Sequence, residues 1–305
     1  MRALWLEGIE PHLSHKEHPM QRTTRTHARH HRTLRGRTLR GRILRGAAGL
    51  LASLGIAAGL GVGATGQAAA NPMGSLDAAL TATGQPGPHR VPGHYFTSPT
   101  APAAQQRIKP RALLGPSTPI MVGDSICTLS VAGIDAAGNK VGITAAHCGV
   151  PGSPVRSLDA PEAGVIGKVV KFGNLDYSVI RLRPDVQLTR NYGRVALNRI
   201  GGPVPGVPNA ACKTGVATGT KCGPVLGQLG QTFVSHICAS LGDSGAPVYA
   251  GGRLVGMLNG GFQPLPSCTT PLQGPLHSPA VSTTWDAIAA DMNALGGSGA
   301  GFRLP

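Results

Sequence analysis

Three short strings carry residue types that together could do chemistry. Thr144-Ala145-Ala146-His147-Cys148 puts a histidine at the end of an apolar run. Asn174-Leu175-Asp176-Tyr177-Ser178 puts an acid just ahead of one. Gly242-Asp243-Ser244-Gly245 puts a serine in a glycine-rich turn. A serine hydroxyl attacks an acyl carbon well only when a base takes its proton, and a carboxylate must hold that imidazole in the right tautomer. Two backbone N–H groups must also face the oxyanion as it develops. Glycine beside the serine lets the backbone turn without a Cβ clash. Taken singly, each string has a structural explanation: a packed His-Cys pair, a strand-edge acid, a plain turn. Their order, His then Asp then Ser, is one of the few in which this constellation occurs. Together they point to nucleophilic acyl transfer.

Such groups need a scaffold, and the sequence offers short Val/Ile-rich runs between turn signals. Strands are expected at 126–132, 140–144, 165–172, 177–182, 232–237 and 253–258. Ala137-Gly138-Asn139 and Ala250-Gly251-Gly252 read as hairpin turns. No strand alternates with a long helix, so the fold class is all-β and antiparallel, of sandwich or barrel type. One helix is expected near the C-terminus. Thr283 and Asp286 are spaced as a capping box, Trp285, Ile288, Ala289 and Met292 recur at helical spacing, and Gly296-Gly297 ends the run. Its apolar face is expected to pack on the domain and do no chemistry.

Composition agrees. The 305 residues include 45 Gly and 26 Pro, and charged residues are only 13%. That excludes coiled coils and helical bundles, while 41% apolar residues are enough for a core. The net charge of +15 is unevenly spread. Residues 1–46 hold 11 basic and 3 acidic residues, and residues 47–70 hold no charge. A basic stretch, an apolar stretch and Ala68-Ala69-Ala70 before Asn71-Pro72 make residues 1–70 a signal peptide, with cleavage expected after Ala70. Secretion is therefore expected, extracellular or at the cell wall, with only transient membrane contact. The glycines of the apolar run disfavour a retained spanning helix. The basic stretch lacks the interleaved aromatics of a nucleic-acid platform, so no nucleic-acid partner is expected. Residues 71–115, rich in proline, read as a linker or short pro-segment.

The six cysteines, Cys127, Cys148, Cys212, Cys222, Cys238 and Cys268, behind a signal peptide imply disulfides rather than metal ligands. Count alone leaves every pairing open.

The chain resembles chymotrypsin-fold serine proteases, in particular the bacterial branch of streptogrisins and α-lytic protease. Thr-Ala-Ala-His147-Cys148, Asp176-Tyr177 and Gly-Asp-Ser244-Gly carry the likeness. Cys212-Lys213-Thr214-Gly215, Thr218-Gly219 and Cys222-Gly223 resemble the branch's cystine loop, and the spacing from Cys238 to Ser244 matches as well. The resemblance spans about residues 116–295. It implies two antiparallel β-barrels, about 116–200 and 201–295 within a 116–305 domain, with the site between them. His147 would be the general base, Asp176 its orienter and Ser244 the nucleophile, with Gly242 and Ser244 N–H groups as the oxyanion hole. The implied disulfides are Cys127–Cys148, Cys212–Cys222 and Cys238–Cys268. An internal ion pair, Lys213 with Asp243, would hold the oxyanion turn, with Lys213 in place of the branch's usual arginine.

The implied function is a secreted, monomeric serine endopeptidase acting on peptide or protein substrates without a cofactor or metal. Pocket walls at residues 239–241 and 258–261, including Leu241, Leu258, Asn259, Gly260 and Gly261, bring no acid, so an apolar residue before the scissile bond is expected. His277 is the one polar exception nearby. Ala246 and Asn259 depart from the family's glycine and serine, which leaves an inactive homologue acting as a binding protein as the alternative. An esterase and a basic surface protein are further readings, the first disfavoured by the resemblance.

Overall fold

Short β-branched runs separated by glycine turns favour pleated strands that cover a shared core, and two such assemblies form here. The computed structural model describes residues 88–262 and 265–305. The expected signal peptide and residues 71–87 lie outside the described residues.

The first sheet contains β1 (Pro119–Val122), β2 (Ser125–Thr128), β3 (Val131–Ile134), β4 (Lys140–Thr144), β5 (Pro154–Ser157), β6 (Val165–Phe172) and β7 (Ser178–Leu182). Their spatial order is β2-β1-β5-β6-β7-β4-β3, with every pairing antiparallel. The strand expected at 126–132 is thus two strands of one bent segment. At the bend the Thr128 N–H leaves the ladder and donates to the Ser244 carbonyl at 2.9 Å, while Ser130 N–H donates to Ile143 O at 2.8 Å. The bend lets one segment pair with β1 on one side and β4 on the other, which curls the sheet into a barrel.

The second sheet contains β8 (Arg199–Ile200), β9 (Ala210–Gly215), β10 (Gly219–Leu229), β11 (Thr232–Ser235), β12 (Pro247–Ala250), β13 (Arg253–Gly261) and β14 (Ala280–Thr284). The order is β8-β13-β12-β9-β10-β11-β14, and β13 also pairs with β14, closing the ring. Only the two-residue β8 runs parallel to its neighbour in this sheet. Two barrels followed by one C-terminal helix are the architecture that the sequence resemblance implies.

Three disulfides brace them. Cys127–Cys148 ties β2 to the turn after β4, Cys212–Cys222 crosses the β9–β10 hairpin, and Cys238–Cys268 anchors the segment leading to Ser244. A short helix α1 (Ala103–Arg107) precedes the barrels and α2 (Trp285–Leu295) follows them. The cap of α2 differs from the expected one. Thr284, not Thr283, accepts from Ala287 N–H, and Asp286 turns away to accept from Gly202 N–H. Trp285, Ile288 and Met292 of α2 are buried in the same apolar cluster as Val131, Ile143 and Ile180 of the first barrel.

Residues 88–115, which the sequence suggests as linker or pro-segment, are packed on the domain. Gln105 is fully buried, with its amide donating to Arg111 O at 2.9 Å. Leu113–Leu114 pair in parallel with Gln187–Leu188. At the other end, the residues after α2 return to the first barrel, where Ile134 and Arg303 exchange backbone hydrogen bonds of 3.0 and 2.9 Å.

Candidate active site

The register of β4 against β7 decides where the histidine and the acid meet. Thr144 lies opposite Ser178 in an antiparallel pair. The chain leaving β4 and the chain entering β7 therefore lie at one end of the barrel. His147 sits three residues beyond Thr144, in the single turn Ala146–Cys148 fastened by Cys127–Cys148. Asp176 sits two residues before Ser178. Its Oδ2 lies 2.8 Å from His147 Nδ1, and its Oδ1 accepts from the His147 N–H at 3.1 Å. One carboxylate oxygen thus holds the imidazole at Nδ1 and the other holds the backbone of the same histidine, which leaves Nε2 as the ring nitrogen not engaged by the acid.

The charges respond to this contact. Hydrogen bonding to Asp176 raises the His147 pKa, and burial only partly opposes it. Burial pushes the Asp176 carboxyl up, but hydrogen bonds from His147 and Asn259 outweigh it and the net shift is down.

Ser244 lies in the turn before β12. Asp243 N–H donates to Ser240 O and Ala246 N–H to Asp243 O, both near 2.9 Å, so the chain folds tightly around the serine. Gly242 (φ +98°) and Gly245 (φ +83°) flank it in a conformation that L side chains rarely adopt. A Cβ on Gly245 would also run into Thr144 Oγ1 and the Thr128 carbonyl. Glycine there lets the turn of the second barrel approach the bend of the first. Neither the Gly242 nor the Ser244 N–H donates to another described group.

No protein-family model and no curated protein matches the chain. Solved structures do. It is similar to Thermobifida fusca protease A at 20% identity and TM-score 0.46, covering 59% of this chain and 95% of that one. It is similar to the Nocardiopsis protease at 20% identity and TM-score 0.46, covering 60% and 97%. Cellulomonas bogoriensis chymotrypsin is similar at 21% identity and TM-score 0.44, covering 63% and 98%.

His147 and Ser244 line one cavity of about 410 Å³. Leu241, Leu258, Asn259, Gly260 and Gly261 line it too, joined by Leu265 and Pro266, which the sequence reading did not name. Among the described residues, no acid, lysine or arginine does. His277 is not among its walls. It is buried, stacks on His236 with ring centroids 4.5 Å apart, and its Nδ1 lies 3.0 Å from Ser278 O. Among the described residues, no group of three His, Cys, Asp or Glu converges as a metal site would require.

Lys213 and Asp243 are both fully buried, with Nζ 2.8 Å from Oδ2. Burial pushes the Lys213 ammonium pKa down, against the opposing pull of Asp243. Asp243 Oδ1 also accepts from Ala217 and Thr218 N–H, and Oδ2 from Ser240 N–H and Thr218 Oγ1–H.

The two departures from the family pattern have structural answers. Asn259 Nδ2 donates to Asp176 O at 2.7 Å and to Asp176 Oδ2 at 3.0 Å. Its own Oδ1 accepts from Thr283 N–H and Oγ1–H, both at 2.8 Å, which fixes the amide orientation. Ala246 is fully buried and packs in the second barrel's apolar cluster.

Sequence reasoning missed Asp291. From α2 it accepts from Tyr177 Oη–H (2.8 Å), Asn174 N–H (2.8 Å) and Asn174 Nδ2–H (2.7 Å). These residues flank Asp176, so the helix anchors the loop that carries the acid. The partners of Asp291 are 114 and 117 residues away, so spacing alone gives no signal.

Proposed function

We propose that the chain is a secreted serine endopeptidase that hydrolyses peptide bonds through an acyl-enzyme. The observation that carries this reading is that His147, held by Asp176 at 2.8 Å, lines the same cavity as Ser244. His147 Nε2 takes the Ser244 proton as Oγ attacks the scissile carbonyl. Asp176 holds the tautomer and stabilises the imidazolium that forms. Gly242 and Ser244 N–H groups receive the oxyanion. The imidazolium then protonates the leaving amine, and water repeats the sequence to release the acid. A cavity whose described walls include Leu241, Leu258 and Leu265 and no acid, lysine or arginine supports a preference for an apolar residue before the scissile bond. The disulfides fit an oxidising, extracellular setting, and residues 1–70 are proposed as the export signal.

Asn259 and Ala246 motivated the inactive-homologue reading. The two hydrogen bonds from Asn259 to Asp176 and the core packing of Ala246 weigh against it. The test is Ser244→Ala. Hydrolysis should fall by about 10³–10⁶ because triad members act as a unit, and covalent labelling by an organophosphonate should vanish with an unchanged unfolding transition. A variant that turns over peptide at the parent rate would sink the assignment.

A further inference from the structure

The free N–H groups beside Ser244 must be held in place by their surroundings, and part of that support comes from upstream of both barrels. Ser98 is buried, accepts from Arg90 N–H at 3.0 Å and donates to the Val216 carbonyl at 2.6 Å. Val216 N–H donates to Thr128 Oγ1 (3.1 Å), and that hydroxyl donates to the Gly242 carbonyl (2.9 Å). The next two N–H groups, of Ala217 and Thr218, hold Asp243 Oδ1. The segment 216–218 therefore grips both residues that precede the serine, and Ser98 grips that segment. Val91 completes the support. Its Cγ2 lies 2.8 Å from where a Cβ on Gly242 would be, filling the space beside that glycine.

The stretch carrying Val91 and Ser98 is fastened to both barrels. The Arg90 guanidinium pairs with Asp159, a fully buried carboxylate near the first barrel that also accepts from Tyr192 Oη. On the second barrel, Tyr95 N–H donates to Thr269 O (3.1 Å), and the Phe96 ring lies 3.9 Å beneath the Lys221 ammonium. Ser98 N–H closes the loop onto Pro88 O at 2.7 Å. Removal of this stretch would strand the Asp159 carboxylate without its cation and the Val216 carbonyl without its donor.

We infer that residues 88–100 form an arm that the active enzyme keeps, with Ser98 and Val91 as positioning residues for the oxyanion turn. This rests on the serine peptidase reading above. The arm orders a turn whose N–H groups matter only as charge develops on the carbonyl oxygen, so its loss is felt in kcat rather than in substrate binding. Any N-terminal processing falls at or before Pro88.

The experiment uses the secreted full chain. The N-terminus of the species labelled by an organophosphonate is sequenced, and kcat and KM are measured for Ser98→Ala and Ser98→Thr. The expected first residue lies at or before Pro88. Ser98→Ala should lower kcat about tenfold at nearly constant KM, short of the about 10²–10³ lost when an oxyanion donor is removed outright. Ser98→Thr keeps a hydroxyl and should recover most of the loss. An active species that begins after Ser98, or a Ser98→Ala enzyme with the parent's kcat, overturns the inference while leaving the peptidase reading intact. A folded full chain that never labels overturns both. Should Ser98→Ala fail to fold, Val91→Ala decides, because it leaves the arm's hydrogen bonds in place. A kcat equal to the parent's then overturns the arm's role.

Discussion

Lys213→Met tests the internal support of the Gly242–Ser244 turn. Methionine keeps the unbranched apolar stem and removes only the ammonium. Asp243 would then be fully buried with four neutral donors and no adjacent cation; the nearest remaining electrostatic partner, Lys221, makes no ion pair with it. Breaking a buried pair on one side costs about 3–5 kcal/mol. The surviving donors place the value near the lower end, about 3 kcal/mol, or roughly a hundredfold in the folding equilibrium. For a domain of this size that corresponds to a fall of about 6–12 °C in Tm. Calorimetry and urea unfolding read the loss directly. Adding Asp243→Asn removes the stranded charge and should restore at least half of it, since neutral replacement of both partners is often harmless. A single variant within about 2 °C of the parent, or a double variant no more stable than the single, would refute this reasoning.

Other expectations follow from the same site. Asn259→Ala removes two hydrogen bonds to Asp176 and should lower kcat/KM about tenfold, consistent with about 1–1.5 kcal/mol for such bonds; an unchanged value would show that the amide is idle. His147 should titrate above about 6.5 by NMR in the Ser244→Ala protein and drop when Asp176→Asn is added; a midpoint at or below 6.5 contradicts the contact. Its raised pKa means that its contribution to stability is full below about 6.5 and is lost as pH rises through the folded value. The lowered pKa of Asp176 works oppositely, with stability present above about 3.9 and lost as pH falls through the folded value. Turnover needs the neutral imidazole, so the acid limb of kcat/KM should lie on the high side of 6.5. On a peptide library, cleavage should follow Leu or Phe rather than Arg; efficient cleavage after Arg alone would mean that the pocket reading is wrong.

Much of this was legible because it is local. The strands at 140–144 and 165–172 appear where Val and Ile cluster, and the hairpin at 250–252 appears where the glycines are. β10 was not legible. Its eleven residues include Gly219, Gly223, Pro224 and Gly227, and most are at least partly exposed, so it carries neither apolar alternation nor high strand propensity. The bend at 129–130 was hidden for another reason: the hydrogen bond that redirects the chain comes from Ser244, far away in sequence. The histidine, acid and serine strings were readable as types and order. What holds them was not. Asn259 showed only as a departure, and Asp291 not at all. Residues 88–115 read as linker because prolines break any periodicity, yet single side chains such as Ser98 and Gln105 fasten them.

The return of residues 296–305 to the first barrel has a consequence for how late in the chain that barrel is completed. A chain leaves the ribosome from its N-terminus. Residues 300–303, which donate to and accept from Ile134 and Ala136 at the outer edge of β3, emerge after everything they touch. Phe302 likewise closes over Trp285 with ring centroids 5.2 Å apart. The first barrel, which carries His147 and Asp176, is therefore completed at its β3 edge only by residues 300–303. α2 and Asp291 also arrive late, and they steady the acid's loop. A chain cut after α2 would leave the Ile134 N–H and carbonyl, the Ala136 N–H and the Trp285 ring without the partners that residues 300–303 supply.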